Sequence, residues 1–261
     1  MRKKIRIPVR SLGSNFGDPS VTSLAEWVAS HRGREVDLTS YKLEQSLSSQ
    51  KNVDIPAVGG AFYCGRWQEA IDGISDGALI KEPDISPHSL IADAALISSL
   101  RKDVWFSIPA PHQLNFSDAF YGDADEFLHA IYSCYYRLMR EMRDTGSYGH
   151  ILYCSDIIES ELDALAKHRI FFYDILLTSK KLSLLLEYQN QLAIDSDHIH
   201  LTFDVLSEYD IKVLIIMNPT HESLQNASQH LDPESIMVGG YCFSNCTKYW
   251  DDLMSKVYLY Q

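Results

Sequence analysis

Short β-branched or aromatic runs alternate with amphipathic segments along this chain, and that alternation constrains its fold more than any other feature. Units of one strand followed by one helix build a parallel sheet with helices packed on its faces. Eight runs have the composition of strands, which is the number that a closed barrel requires. We therefore predict an α/β fold, a single (β/α)8 TIM barrel with parallel strands at Ile5–Ser11, Asp54–Gly59, Val104–Pro109, His150–Cys154, Ile170–Asp174, Gln191–Asp195, Lys212–Met217 and Ile236–Gly240.

The amphipathic segments between these runs predict the helices. The longest, Asp123–Thr145, carries apolar residues at helical spacing from Phe127 to Met142, so this stripe should pack on the outside of the strands. The run Ala78–Lys81, after the second strand, predicts a small extra hairpin or a loop over the barrel mouth. The other predicted helices are Val21–His31, Ser40–Ser49, Ser89–Leu100, Ser160–Lys167, Ser179–Gln189, Leu201–Tyr209 and Glu222–Leu231.

The length of 261 residues fits one such domain, because a barrel of this type usually has about 250 residues. No internal repeat, low-complexity tract or Gly/Ser linker divides the chain. We therefore expect residues 1–261 to form a single TIM-barrel domain.

The charge balance argues against nucleic acid as a partner. The chain has 23 Lys and Arg against 35 Asp and Glu, a net charge of −12, and so lacks the basic excess that attracts phosphate backbones. No apolar stretch approaches the roughly 20 residues needed to cross a bilayer, so we expect no membrane contact. The basic start, Met1–Lys4, precedes an apolar run that Arg6 and Pro8 interrupt, which indicates a strand rather than a signal peptide.

The cysteines do not have the pattern of a disulfide framework. They are odd in number and widely spread, whereas stapled secreted domains carry closely spaced, even sets. We therefore expect free thiols in a reducing cytoplasm. The five are Cys64, Cys134, Cys154, Cys242 and Cys246.

Binding and catalytic residues of a barrel lie on the loops that follow the carboxyl ends of its strands. By this rule, the candidate substrate contacts are Gly13, Ser14 and Asn15 after the first strand. His112, in a Pro-Ala-Pro-His turn after the third strand, is a fourth candidate.

Three cysteines, Cys64, Cys154 and Cys242, follow three other strands, so their sulfur atoms should meet at the barrel mouth. Zinc binds thiolate and imidazole ligands in tetrahedral geometry, so these cysteines are candidate zinc ligands, with His112 as a further donor. The alternative is that they are small apolar residues of the core, because the sequence has no CxxC or HExxH motif.

Other reactive residue types give weaker patterns. Glu159 and Glu161 are most simply a solvated helix face. The sequence has no G-x-S-x-G, dinucleotide-binding or Walker motif, so no motif indicates acyl transfer or nucleotide chemistry.

Five segments resemble, in order, the motifs of one known family. Arg10–Phe16 resembles an opening V-G-S-F-P loop, and Val104–Leu114 resembles a T-L-P-G-P strand and turn. Tyr121–Asp123 introduces the long helix as a Y-x-D-R-E-E segment does, and His150–Asp156 stands in the place of V-I-Q-I-D-E-P. Leu231–Cys242 resembles L-P-P-E-R-L followed by N-P-D-C-G. The chain thus resembles the catalytic, C-terminal barrel of cobalamin-independent methionine synthases, a fold also similar to uroporphyrinogen decarboxylase.

This resemblance implies methyl transfer to homocysteine, bound as thiolate to a zinc ion that one His, two Cys and a Glu hold. Cys242 matches one of the cysteine ligands, and Cys154 is the expected partner. Gly13 and Ser14 are then expected to contact the carboxylate of the acceptor. The family's H-x-C pair is missing from the end of Ile170–Asp174, so the ligand set must be rearranged.

Two functions remain open from the sequence. The first is a divergent, zinc-dependent methyltransferase whose partners are a small thiol, a methyl donor and a protein that completes the site. The second is a catalytically degenerate barrel that binds a ligand or a protein through its acidic surface and aromatic tail.

Overall fold

A computed structural model of the chain describes residues 4–174 and 177–260, so the first three residues of the predicted basic start lie outside it. Within these residues the strands are numbered in chain order as β1 (Lys4–Arg6), β2 (Val9–Ser14), β3 (Ala57–Gly59), β4 (Ile71–Ser75), β5 (Ala78–Ile85), β6 (Trp105–Pro109), β7 (Ser117–Asp118), β8 (Gly149–Cys154), β9 (Ile170–Asp174), β10 (Gln191–Asp195), β11 (Val213–Met217), β12 (Ile236–Cys242) and β13 (Tyr258–Tyr260).

Several helices begin where a side chain caps their free backbone N–H groups. The helices are α1 (Val21–Ser30), α2 (Leu38–Ser48), α3 (Cys64–Glu69), α4 (His88–Leu100), α5 (Ala124–Thr145), α6 (Glu159–Leu165), α7 (Ser179–Tyr188), α8 (His200–Val205), α9 (His221–His230) and α10 (Cys246–Met254). Asp123 accepts from the N–H groups of the first turn of α5, and Thr220 forms a capping box with Ser223 at α9. Among the helices of the described residues, none has the length and apolar character that a membrane crossing requires.

Eight strands form two parallel sheets of four strands each. One sheet has the order β10-β11-β12-β2 and the other the order β3-β6-β8-β9. Parallel neighbours need a crossover connection, which helices provide between most of these strands. The N–H of Ser11 donates to the carbonyl of Ile55 at 2.9 Å, and this bond joins the two sheets at one edge.

The predicted closed ring of eight strands is not shown. At the other edge, the described residues of β9 and β10 form no backbone ladder. The side-chain amide of Gln189 instead bonds to the backbone of Phe172 in β9 and of Gln191 in β10. One side chain, rather than a backbone ladder, therefore bridges β9 and β10 at this position. The observed architecture is an α/β fold with parallel sheets.

Alternate residues of the strands face two apolar layers. An outer cluster lies between the sheets and the helices, and it includes Leu152 and Cys154 of β8. An inner cluster draws side chains from both sheets, which therefore face each other across it. Its buried members are Leu12, Ala57, Ile151, Phe171, Tyr173, Ala193, Ile215, Met217 and Tyr241.

The hairpin predicted near residues 78–81 is confirmed. β4 and β5 pair antiparallel through a turn at Asp76 and Gly77, both with positive φ, as a tight hairpin requires. The hairpin contacts α5, where Arg137 lies 2.9 Å from Asp84.

Candidate functional site

Three polar side chains meet at the carboxyl edge of the sheet that contains β6 and β8. The Nδ1 atom of His112 lies 2.9 Å from a carboxylate oxygen of Glu161, and its Nε2 atom lies 3.1 Å from the hydroxyl of Ser155. The other oxygen of Glu161 accepts the backbone N–H of His112 at 2.7 Å. We call His112, Ser155 and Glu161 the edge triad.

The register of two strands brings His112 and Ser155 together. β6 and β8 pair in parallel with Pro109 opposite Tyr153, so the residues that follow the two strands leave the sheet at the same height. A single 3-10 turn, Pro111–Leu114, begins directly after β6 and holds His112 over the end of β8.

Glu161 is only 1% exposed, so its interpretation as a solvated helix residue is wrong. It lies in the first turn of α6, and that helix turns its carboxylate toward the turn that carries His112. Burying a carboxylate costs free energy unless hydrogen bonds satisfy it, and His112 supplies two. Helical spacing carried a usable signal here, because Glu161 and the buried Leu165 lie one turn apart on one face.

The hydrogen bonds define which nitrogen of His112 carries the proton. An ionised carboxylate only accepts hydrogen bonds, so Nδ1–H donates to Glu161. The Nε2 atom is then the acceptor, and it receives the N–H of Ser155 at 3.3 Å as well as the hydroxyl. The imidazole of His112 is therefore held in one orientation, with Nδ1 toward Glu161 and Nε2 toward Ser155.

A cation lies beside the edge triad. The Nζ atom of Lys181 is 2.9 Å from Asp156, the residue after Ser155, and 3.0 Å from Asp174 at the end of β9. The hydrogen bond from Lys181 lowers the pKa of Asp156, and the same bond raises the pKa of Lys181. Both groups are therefore charged near neutral pH.

Tyrosines cover the carboxyl end of the inner cluster. Tyr153 and Tyr241, from different sheets, stack with ring centroids 5.4 Å apart, and the centroid of Tyr173 is 6.3 Å from that of Tyr153. The hydroxyl of Tyr241 accepts the N–H of Ala61 at 3.0 Å. Burial raises the pKa of Tyr241 and of Tyr173, so both phenols stay protonated. We call Tyr153, Tyr173 and Tyr241 the tyrosine mouth.

Two of the predicted substrate contacts are engaged inside the protein. The hydroxyl of Ser14 is buried and bonds to the hydroxyl of Ser46 in α2 at 2.9 Å. The N–H of Gly13 donates to the side chain of Ser11 at 3.2 Å. Asn15 is exposed and borders a cavity of about 370 Å³. Of the four predicted contacts, His112 is the one that lies in the edge triad.

The three cysteines predicted to bind zinc are not brought together. A disulfide bond joins Cys242 to Cys246, which corrects the expectation of free thiols for this pair. Cys154 lies in the outer cluster, where burial raises the pKa of its thiol well above the usual range. Cys64 is half-buried at the start of α3, with its sulfur 4.0 Å from the carbonyl of Gln113.

The alternation of side chains along the strands explains this separation. Tyr153 and Tyr241 face the inner cluster, so the next residues, Cys154 and Cys242, face the helices instead. Across residues 4–174 and 177–260, no group of three or more His, Cys, Asp or Glu side chains is arranged to hold a metal ion. Zinc needs convergent ligands, so the predicted set does not fit it as placed.

The fold is thus that of an α/β protein with a candidate site at the carboxyl edge of its parallel strands. Among solved structures, the chain is similar to a candidate vitamin-B12-independent methionine synthase from Listeria monocytogenes, with a TM-score of 0.64, 15% identity and 93% of each chain covered. It is also similar to a B12-independent methionine synthase from Shewanella sp. W3-18-1 in complex with selenomethionine, with a TM-score of 0.59, 11% identity and 96% of each chain covered.

These likenesses confirm the resemblance in fold that the sequence motifs predicted. No protein-family model and no curated protein matches the sequence.

Proposed function

We propose that this chain is a methyltransferase of the methionine-synthase-like fold, which transfers a methyl group to a small thiol such as homocysteine. The observation that carries the proposal is the 2.9 Å bond between His112 and the buried Glu161. This bond leaves Nε2 of His112 as a proton acceptor at the edge where a barrel of this kind places its chemistry. The likeness in fold supports the reaction class.

His112 activates the thiol by accepting its proton, a role that metal coordination would otherwise have. The thiolate is the nucleophile, and an ordinary thiol has a pKa of about 8.5, so a neighbouring base assists its ionisation at neutral pH. The thiol takes the place of the Ser155 hydroxyl at Nε2, its proton moves to Nε2, and the sulfur attacks the methyl carbon of the donor. A carbon–sulfur bond forms, the bond from the methyl group to the donor breaks, and its electron pair stays on the donor. Glu161 stabilises the imidazolium that results.

The tyrosine mouth and Asn15 supply the binding surface in this proposal. Aromatic rings over the end of the inner cluster exclude water, which strengthens the electrostatic interactions of the reacting groups. The Shewanella protein holds selenomethionine, the selenium analogue of methylated homocysteine. We take the same class of amino-acid thioether as the product here, with the exposed amide of Asn15 as a contact for its polar end.

The test is to incubate the purified chain with homocysteine and each of two methyl donors, methyltetrahydrofolate and a methylsulfonium compound. Methionine is then measured by mass spectrometry, with and without a metal chelator. We expect methionine with at least one donor, unchanged by the chelator, and a rate roughly 100-fold lower in Glu161→Gln. Ser133→Ala, which changes an exposed serine of α5, is the matched control and should keep the full rate. Absence of product with both donors would count against the proposal, as would a full rate in Glu161→Gln.

The second candidate is a barrel that binds a ligand without turnover. The stacked Tyr153 and Tyr241 favour it, because they occupy the mouth and one is tied to the backbone of Ala61. Calorimetric titration with methionine distinguishes the two: heat of binding with no methyl transfer from either donor supports the binding protein.

A further inference from the structure

We infer that Ser155 is a covalent nucleophile and that the edge triad hydrolyses small carboxylic esters, an activity separate from methyl transfer. A serine nucleophile needs a base within about 2.6–3.2 Å and a third group that orients the base. The hydroxyl of Ser155 lies 3.1 Å from Nε2 of His112, and Nδ1 of His112 lies 2.9 Å from Glu161. Such a constellation is recognised by geometry, so the lack of a G-x-S-x-G motif does not argue against it.

The nucleophile of the edge triad is exposed to solvent, whereas its orienting carboxylate is buried, as this chemistry requires. Ser155 is exposed, so a substrate carbonyl can reach its oxygen. The side chain of His112 is 17% exposed and that of Glu161 only 2%. The orienting carboxylate is therefore shielded from water, and its two bonds to His112 fix both the ring and its tautomer. A solvated ion pair would fix neither, because exposed pairs exchange readily with water.

The surroundings indicate the substrate class. The charges beside the nucleophile sum to a net negative, because Asp156 and Asp174 share Lys181 and Glu161 lies behind His112. An anionic acyl group is therefore disfavoured. The tyrosine mouth begins two residues before Ser155, at Tyr153, and offers aromatic surface. An uncharged ester with a short apolar acyl group fits these features.

The reaction follows from the hydrogen bonds already present. Ser155 Oγ attacks the ester carbonyl carbon while its proton moves to Nε2 of His112. The tetrahedral intermediate then expels the alkoxide, which takes the proton from His112, and an acyl-serine remains. Water attacks the acyl-serine with His112 again as base, the carboxylic acid leaves, and the proton returns to Ser155 Oγ. Glu161 is a positioning residue that acts through His112.

The probe is a fluorophosphonate, which phosphonylates an activated serine with loss of fluoride. We expect mass spectrometry of the labelled chain to find the adduct on the peptide that contains Ser155. We also expect the chain to hydrolyse p-nitrophenyl butyrate. Ser155→Ala should lose both the adduct and the hydrolysis, while Glu161→Gln should label roughly 100-fold more slowly. Ser133→Ala, which changes an exposed serine of α5, should behave as the wild type.

The outcome that overturns the inference is a folded wild type, checked by circular dichroism, with no adduct at Ser155. An equal labelling rate in Glu161→Gln and the wild type overturns it too, since a serine that merely caps the imidazole would not depend on that charge. Methyl transfer is measured separately, as methionine formed by the wild-type chain, because that reaction does not use Ser155 as a nucleophile. Loss of one activity therefore leaves the test of the other intact.

Discussion

The side-chain amide of Gln189 hydrogen-bonds to both backbone polar groups of Phe172. Its oxygen accepts the N–H of Phe172 at 2.9 Å, and its nitrogen donates to the carbonyl of Phe172 at 3.1 Å and to that of Gln191 at 2.7 Å. A primary amide offers the same donor and acceptor as a peptide group. At Phe172, the side-chain amide of Gln189 thus replaces the peptide group that a paired strand would provide.

Replacing Gln189 should therefore destabilise the chain. Gln189→Ala removes three hydrogen bonds and leaves the buried N–H and carbonyl of Phe172 without them. Unsatisfied buried groups cost about 1–3 kcal/mol each, so we expect a loss of about 3 kcal/mol in the free energy of unfolding, measured by urea titration. Gln225→Ala, on the exposed face of α9, is the control and should change stability by less than about 0.5 kcal/mol. A similar loss in both variants would refute the bridging role.

A buried histidine makes stability depend on pH. His150 of β8 is fully buried, and neither ring nitrogen has a hydrogen-bond partner among the described residues. Burial, with a smaller effect of Arg143, lowers its pKa from 6.5 to about 3. His150 therefore takes up a proton near pH 6.5 in the unfolded chain but only near pH 3 in the folded chain. Because the unfolded state binds the proton first, the free energy of unfolding falls as the pH is lowered through this window.

From this difference in pKa we expect His150 to lower the free energy of unfolding of the wild type by about 3 kcal/mol between neutral pH and about pH 4.5. His150→Leu should lack this contribution, so its stability relative to the wild type should rise on acidification. Urea titrations of both chains at the two pH values measure the difference. Burial raises the pKa of Asp93 to about 6, so this residue favours the folded state at low pH. Its contribution is the same in both chains and cancels in the difference between their free energies of unfolding. His168→Gln, which replaces an exposed histidine, is the control variant. An equal pH dependence of stability in His150→Leu and the wild type would contradict the prediction.

The sequence determined much of the fold because periodicity is a local property. The helix predicted at Asp123–Thr145 is α5, and Ile131, Leu138 and Met142 of its apolar stripe are buried as expected. The strand predicted at Ile5–Ser11 divides, because Pro8 has no N–H for a ladder. Its first part pairs as β1 with β13, a partner distant in the chain that no local pattern indicates.

The site was less predictable, because its residues meet only through tertiary structure. The rule that chemistry follows strand ends identified His112. It gave no role to Ser155, since no sequence motif surrounds it, and it missed Glu161, since a charged residue was interpreted as exposed. The zinc hypothesis assumed that residues at strand ends face one mouth. Alternation along β8 and β12 instead turns Cys154 and Cys242 toward the helices.

The disulfide between Cys242 and Cys246 should add modestly to stability. Its cysteines are four positions apart, and a loop this short gives about 2 kcal/mol from the lost entropy of the unfolded chain. We expect dithiothreitol to lower the free energy of unfolding by that amount and Cys242→Ala/Cys246→Ala to match the reduced wild type. The double variant should not respond to the reductant. Mass spectrometry that finds both thiols free in the purified, unreduced chain would contradict the bond.

Arg10 and Gln191 should be energetically coupled. They lie at the end of the inner cluster that is opposite to the tyrosine mouth. Arg10 is 3% exposed, its guanidinium lies 4.5 Å from the ring centroid of Trp105 and 4.7 Å from that of Phe171, and Nη1 donates to the side chain of Gln191 at 2.7 Å. Burial lowers the pKa of Arg10 only to about 10, so the guanidinium is charged at neutral pH.

A hydrogen bond to a charged group contributes about 1.5–3 kcal/mol, so Gln191→Leu should cost about 2 kcal/mol in the wild type. In the Arg10→Met background the same change should cost less than about 0.5 kcal/mol, because the charge that needs Gln191 is gone. Urea titration of the four chains of this double-mutant cycle measures the coupling. Additive losses would mean that Gln191 stabilises the protein through its packing, and that the two rings alone hold the buried cation.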